Sequence, residues 1–264
     1  ALISKSMSKS EKKDALLLAY LMVSSPKLLH PVIQRRIDAV FDLAVVRARD
    51  AVVRVRTTLV NTVRGMAKSL GFPLDASSPG KLSKVKLEDC MVPALQMLLD
   101  EIGHLTKAIA DYDQQIKQLI KERYHDANAL MKIKGVGPVT SLAFILTIDD
   151  PKRFKNGRTV GAYFGLRPKQ FESGDTRKQL GITKAGDGLV RRLLVQCAHY
   201  ILGPHGEDCD LRRWGQLLAL RGGKSAKKRA CVAVARKLAV LLFRLWVDQS
   251  EYKPLRKAPS PTAA

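Results

Sequence analysis

The sequence predicts a mainly α-helical protein: a long antiparallel coiled-coil hairpin, then a mostly helical domain containing a helix-hairpin-helix element. Three observations predict it. Residues 33–69 and 88–124 each carry apolar side chains at spacings of three and four, strictly alternating in the second. A turn-forming segment, GFPLDASSPG (71–80), lies between them. From residue 126 onward the pattern breaks into shorter elements, separated by glycine-containing turns.

The elements follow in order. At the N-terminal end, Lys9-Ser10-Glu11-Lys12-Lys13-Asp14-Ala15 reads as the start of a helix that presents Glu11 and Asp14, three apart, on one face. Two such carboxylates are half of a Mg2+ site, although acids at this spacing are routine on charged helices. The first long helix has its stripe at Ile37, Phe41, Ala44, Ala48, Val52, Val55, Leu59 and Val63. The second has Leu95, Leu98, Ile102, Leu105, Ile109, Tyr112, Ile116 and Leu119, the repeat of a coiled-coil seam. Residues 33–70 carry eight basic and three acidic side chains, whereas 88–124 carry four and seven, so the two helices attract one another or their copies in a dimer. Arg47, Arg49, Arg54 and Arg56 either pair with acids of the second helix or face nucleic acid. Beyond residue 126 the expected order is a helix from Asp126, the segment 133–148, a loop (149–158), a short helix (159–164), a loop or strand region (165–180) and helices at 186–202 and 224–248. The tail 251–264 is expected to be disordered.

Composition narrows the function. The chain has 264 residues, 46 % hydrophobic, which excludes a disordered basic tail and leaves material for one to three domains. The formal charge of +22 calls for a polyanionic partner, with nucleic acid first and an anionic membrane surface second. No apolar run approaches the roughly 18 residues of a spanning helix, and the first residues, ALISKSMSKSEKK, lack the apolar core of a signal peptide. The absence of an initiator Met fits a fragment or a processed end. Cys90, Cys197, Cys209 and Cys231 form no CxxC pair and read as reduced thiols; His199, His205 and Cys209 lack a well-spaced fourth ligand for zinc.

Two motifs carry the candidate chemistry. In Ile133-Lys134-Gly135-Val136-Gly137-Pro138-Val139-Thr140, a Gly-x-Gly turn between helices directs amides and a helix N-terminus at a phosphate, with Lys132 and Lys134 adding charge. Such an element reads the backbone, not the bases; the alternative is a tight turn between packed helices. Candidate contacts here are Lys134, Gly135, Gly137 and Thr140. The second motif runs from Gly165-Leu166-Arg167-Pro168-Lys169 through Ser173-Gly174, Arg177 and Lys178 to Gly181-Ile182-Thr183-Lys184-Ala185-Gly186-Asp187 and Arg191-Arg192. A serine nucleophile for phosphodiester exchange needs flanking cations to stabilise the transition state, and Arg167, Lys169, Arg177, Lys178 and Lys184 flank Ser173. Ser-Gly is also a common turn pair. Arg167, Lys169, Arg177, Lys178, Thr183, Lys184, Arg191 and Arg192 are the nucleic-acid contacts expected of this block.

Taken together, K-x-(D/E)-x-x-D-A, the paired helices, I-x-G-(V/I)-G, the G-L-x-P and Ser-Gly block, GITKAGD and the VAVARKLA helix resemble the DEDD transposases of the IS-one-ten insertion-sequence group, over residues 5–252. The resemblance implies four domains or segments: residues 1–32 as the end of a RuvC-like α/β catalytic domain, 33–125 as a coiled-coil dimerisation hairpin, 126–250 as the transposase domain, and the tail. It implies a DNA recombinase of the kind guided by a non-coding RNA, in which Ser173 attacks DNA and Mg2+ is held by four acids, of which Glu11 and Asp14 match the last two. Glu11 stands where the family usually has Asp, and the first two acids would precede residue 1, so the resemblance implies a truncated product or a fragment that recombines poorly alone. Implied partners are DNA, a guide RNA and further copies of the chain as a dimer or tetramer. The implied setting is the cytoplasm of a bacterium or archaeon, at the nucleoid. Two other readings stand beside it: a non-catalytic nucleic-acid-binding coiled-coil protein, and a coiled-coil interaction protein whose basicity is incidental.

Overall fold

The structure is a computed structural model that describes residues 10–29, 34–71, 74, 78–82, 93–173 and 176–255; at Lys27, Pro93, Ala94, Phe171, Ser173, Thr176, Arg177, Lys178 and Gln179 it describes the backbone alone. The fold is mainly helical. The chain divides into two units, residues 1–35 and 36–264.

In the first unit, helix α1 spans Glu11–Ser24, with Glu11 and Asp14 in its first turn. It has no buried residue, although Leu16, Tyr20, Met22 and Val23 are all more than 60 % exposed.

In the second unit, α2 (Ile37–Ser69) and α4 (Pro93–Glu122) lie against each other, with the one-turn helix α3 (Pro79–Leu82) between them in sequence. Their contacts fix the direction. Asp42 meets Arg123 and Tyr124, Arg49 meets Asp113, and Arg56 meets Thr106. Val60 and Val63 share a buried cluster with Leu95, Leu99 and Ile102. Rising numbers on α2 meet falling numbers on α4, so the pair is antiparallel. At ~1.5 Å per residue α2 is about 50 Å long.

The expected stripe on α2 holds at Leu59 and Val63, and the structure corrects it nearer the N-terminal end. Ile37, Phe41 and Val55 are 75, 70 and 51 % exposed, and the side chains that turn inward are Ala39, Leu43, Val46, Val60, Val63 and Ala67. Two apolar stripes coexist on this helix, and spacing alone does not say which one meets α4. The intramolecular polar pairs decide: seating Asp42 and Arg49 against their partners turns the Phe41 stripe to solvent. On α4 the seam splits. Leu95, Ile102, Ile109 and Ile116 are buried, joined by Leu99 and Ile120, while Leu98, Leu105, Tyr112 and Leu119 are half-buried.

The same unit continues into the main core. Helices α5 (Ala127–Met131) and α6 (Pro138–Ile148) flank the Gly-x-Gly turn. Every residue of α6 from Thr140 to Ile148 is buried, because PVTSLAFILTI has no polar face and needs covering on all sides. Helices α2, α4, α5 and α8 supply the cover. Helix α7 (Val160–Tyr163) leads into a two-stranded antiparallel hairpin, β1 (Pro168–Ser173) and β2 (Thr176–Ile182). Helices α8 (Gly188–Leu202), α9 (Asp210–Leu220) and α10 (Ala226–Val247) complete the unit. Helix α9 has no counterpart in the sequence reading. Its N-cap is Cys209, whose sulfur accepts from the Arg212 amide. Asp126 stands at the N-cap of α5, as expected, but its side chain does not cap the helix: the carboxylate accepts from Trp246 Nε1 at 2.9 Å and Gln249 Nε2 at 3.1 Å. The segment expected to be a disordered tail begins as ordered chain, with the Pro254 carbonyl accepting from the Asp210 amide; residues 256–264 lie outside the described residues.

Candidate nucleic-acid interface and serine hairpin

The second motif folds as a strand pair whose root is locked. Ser173 ends β1 opposite Thr176, at the far end from the root, and Arg177 and Lys178 pair with Glu172 and Phe171. The side chains of Ser173, Arg177 and Lys178, and all of Gly174, lie outside the described residues.

At the root, two sequence motifs interlock. Gly165 has φ +69° and Gly186 has φ +75°. A Cβ on Gly165 would overlap the Ala185 carbonyl oxygen, and one on Gly186 would overlap the Tyr163 carbonyl oxygen. Glycine therefore serves twice at each position, for the left-handed backbone and for the close approach. The Lys184 amide donates to the Gly165 carbonyl at 3.1 Å, and the Thr183 amide to the Arg167 carbonyl at 2.9 Å. Arg191 Nη1 then bridges the carbonyls of Phe164 (3.1 Å) and Ala185 (2.9 Å). Asp187 finishes the turn by capping α8 through the Val190 amide at 2.9 Å.

The turn is also tied to the long helix pair. Arg47 reaches Asp187 at 3.0 Å, and Arg192 reaches Asp50 at 2.6 Å. Crossed Arg–Asp pairs thus hold α2 beside the serine hairpin's root, a connection not visible in sequence because the partners lie about 140 positions apart. Arg49 pairs with Asp113 of α4 at 2.6 Å, and Arg54 with Asp50 of its own helix. These arginines are occupied within the chain.

Several expected contacts therefore change role. Thr140 is buried, and its hydroxyl oxygen lies 3.7 Å from the Cys197 thiol, so its side chain is a core group and not a nucleic-acid contact. Arg191 and Arg192 are engaged as described. Lys134 lies 3.2 Å from Glu207, an exposed pair that water weakens. Gly135 faces the Tyr200 ring, where a Cβ would lie 2.5 Å from Cδ1. Gly137 is extended (φ −99°, ψ 178°), and its carbonyl accepts from Ser141 in the first turn of α6. By contrast Arg167, Lys169 and Lys184 are exposed with no carboxylate partner among the described residues. Thr183 is half-buried beside them.

Glu11 is exposed and Asp14 half-exposed on the first turn of α1. Among the described residues no cluster of three metal-ligating side chains exists. Two carboxylates from one helical turn do not fill the octahedral shell of Mg2+. Cys197, Cys209 and Cys231 are buried free thiols. Burial pushes the Cys231 thiol up to about 11 and raises that of Cys197, against the weaker opposing hydrogen bond from Thr140. Neither has the lowered pKa of a nucleophilic thiol.

Comparison with known proteins fits this geometry. Residues 127–208 match the model of the Transposase IS116/IS110/IS902 family, a segment that includes the Gly-x-Gly turn, the serine hairpin and α8. The chain is 31 % identical over 220 residues to the transposase for insertion sequence element IS1111A of Coxiella burnetii, covering 80 % of this chain and 59 % of that protein. It is 31 % identical over 223 residues to a probable family 20 transposase of Pseudomonas aeruginosa, covering 79 % of this chain and 64 % of the relative. The chain is thus similar to the transposases of this family over about four fifths of its own length. A more distant relative is the pilin gene-inverting protein of Moraxella bovis, 28 % identical over 148 residues, covering 54 % of this chain and 45 % of that protein. The chain spans about three fifths of the length of these first two relatives. No helix among its described residues is long and apolar enough to cross a membrane.

Proposed function

We propose that the chain is the greater part of an insertion-sequence transposase, a DNA recombinase whose nucleophile is Ser173. The observation that carries the reading is the position of Ser173 at the end of a hairpin with an interlocked root, inside the segment that matches the family. The exposed cations Arg167, Lys169 and Lys184 near the root add charge that a DNA phosphate needs. In the step proposed, the Ser173 Oγ–P bond forms as the P–O3′ bond of a DNA strand breaks. The proton lost by the hydroxyl balances the one gained by the leaving 3′-oxygen.

Glu11 and Asp14 would contribute to holding Mg2+, which would provide charge stabilisation. The exposed apolar side chains of α1 support the division in which residues 1–32 belong to a larger RuvC-like domain. Self-association, as dimer or tetramer, fits the Ile37–Phe41–Val55 face of α2, which the antiparallel pairing leaves uncovered. A guide RNA is part of the reading on family resemblance.

The test is to incubate the full-length protein with Mg2+, donor and target DNA, with and without its non-coding RNA, and look for a covalent protein–DNA adduct. The expected adduct forms with the RNA and is lost in Ser173→Ala. Its persistence in that variant would remove Ser173 as nucleophile; binding with no adduct at all would favour a non-catalytic nucleic-acid-binding protein.

A further inference from the structure

We propose that the outward face of α10, with the turn before it, is a docking surface for the sugar–phosphate backbone of duplex DNA. The proposal rests on the reading of the chain as a protein that acts on DNA. The starting observation is where positive charge is left unmatched. On the long helix pair, Arg47, Arg49, Arg54 and Arg123 each lie within 3.4 Å of a carboxylate. Residues 211–247 carry ten basic side chains and no acid. Lys224, Lys228, Arg236 and Arg244 are exposed, with no carboxylate partner among the described residues.

These charges lie on a built face. The inner side of α10 is buried through Val234, Leu238, Leu242 and Leu245. Arg229, Arg236 and Arg244 recur at seven and eight residues, two helical turns apart, so they share the outer side. The stem of Arg236 lies over Gly161, where a Cβ would come within 2.8 Å of its Cγ, and Lys237 sits 3.8 Å above the Trp214 ring. From Arg229 to Arg244 the face is about 22 Å long at ~1.5 Å per residue, which matches about six phosphates at ~3.4 Å per step of one strand. Like charges held this close repel, and a polyanion relieves that repulsion.

The occupant is a duplex and not a single strand because the face offers no open aromatic for base stacking. Phe243 and Trp246 are buried, and Trp214 lies under Lys237.

The experiment measures binding of the full chain to a duplex DNA of arbitrary sequence, and to an RNA duplex of the same sequence, across a salt series. The variant carries Lys224→Gln, Lys228→Gln, Arg236→Gln and Arg244→Gln. The comparison variant carries Lys68→Gln, Lys107→Gln, Lys117→Gln and Lys121→Gln, removing the same charge from the long helix pair. At ~0.9 per phosphate contact, the first variant should flatten the slope of log K against log salt by about 3 to 4 and weaken DNA binding more than about tenfold near 0.1 M salt. The comparison variant should lose much less. A third variant exchanging Lys for Arg and Arg for Lys at the same four positions should keep full binding, which separates charge from folding. Equal loss in the first two variants, no loss in the first, or a loss confined to the RNA duplex would each overturn the proposal. Intact binding with no Ser173 adduct would overturn only the recombinase reading, and an intact adduct with binding indifferent to the α10 charges would overturn only this surface.

Discussion

Gly186→Ala should loosen the serine hairpin's root. The position is left-handed at φ +75°, which costs an L-residue with a Cβ about 1–2 kcal/mol. The new methyl would also overlap the Tyr163 carbonyl oxygen and lie 3.1 Å from its carbon, and no flexible side chain is available to move aside. Overpacking of this kind costs about 1–3 kcal/mol, so the sum is about 2–5 kcal/mol. That is a large share of the ~5–15 kcal/mol typical of a folded domain. Gly181→Ala is the internal control: it lies on β2, has an ordinary φ and has no atom within 4 Å of an added Cβ, so a change within about 0.5 kcal/mol is expected. Urea unfolding followed by tryptophan fluorescence reads both, since Trp214 and Trp246 belong to the same unit. If the two substitutions differ by less than about 1 kcal/mol, the interlocked root is not the constraint the geometry describes.

Other predictions concern the helix pair and the thiols. Asp42→Ala strands the buried Tyr124 hydroxyl, which donates to it at 2.6 Å, and should cost about 2–4 kcal/mol; half-exposed Arg123 is rehydrated and adds little. Tyr124→Phe should cost less, and the double variant should fall short of the sum in urea unfolding. Burial raises the pKa of Cys231, Cys197 and Tyr124, with the hydrogen bond to Asp42 reinforcing the rise at Tyr124. A raised folded-state value stabilises the fold below the unfolded value and loses that contribution as pH climbs through the folded one. The urea midpoint should therefore hold steady up to pH 9.0 and fall towards about 11, with a shallower fall in Cys231→Ala; a midpoint that rises with pH there contradicts the assignment. Phe41→Glu, at a 70 % exposed position, should leave thermal stability unchanged and weaken self-association in sedimentation; unchanged association removes that face as the seam.

Much of the fold was legible because it is written in local patterns. The two long helices, the Gly-x-Gly turn and the end of α10 follow from spacing and turn chemistry, read over neighbouring residues. Helix α9 was missed since DLRRWGQLLAL is short and opens on a cysteine cap instead of a usual capping residue. Asp126 does start α5, yet its carboxylate is taken by Trp246, 120 positions away. The site was legible as a set of motifs, but not in how its cations divide. Arg191 and Thr140 look like contacts in sequence, and only three-dimensional packing assigns one to a pair of carbonyls and the other to the core.

By itself the sequence determined the helical class, the +22 charge that calls for a polyanion, and the order of motifs that makes the chain similar to the IS110/IS116 transposases. Periodicity, net charge and motif order are properties of the chain alone, so no contact is needed to read them. The tertiary structure decided which of two apolar stripes on α2 is covered, that Gly165 and Gly186 interlock, and which cations keep their charge unmatched. Each of these depends on a partner far away in sequence, and a carboxylate neutralises whichever arginine the fold brings to it.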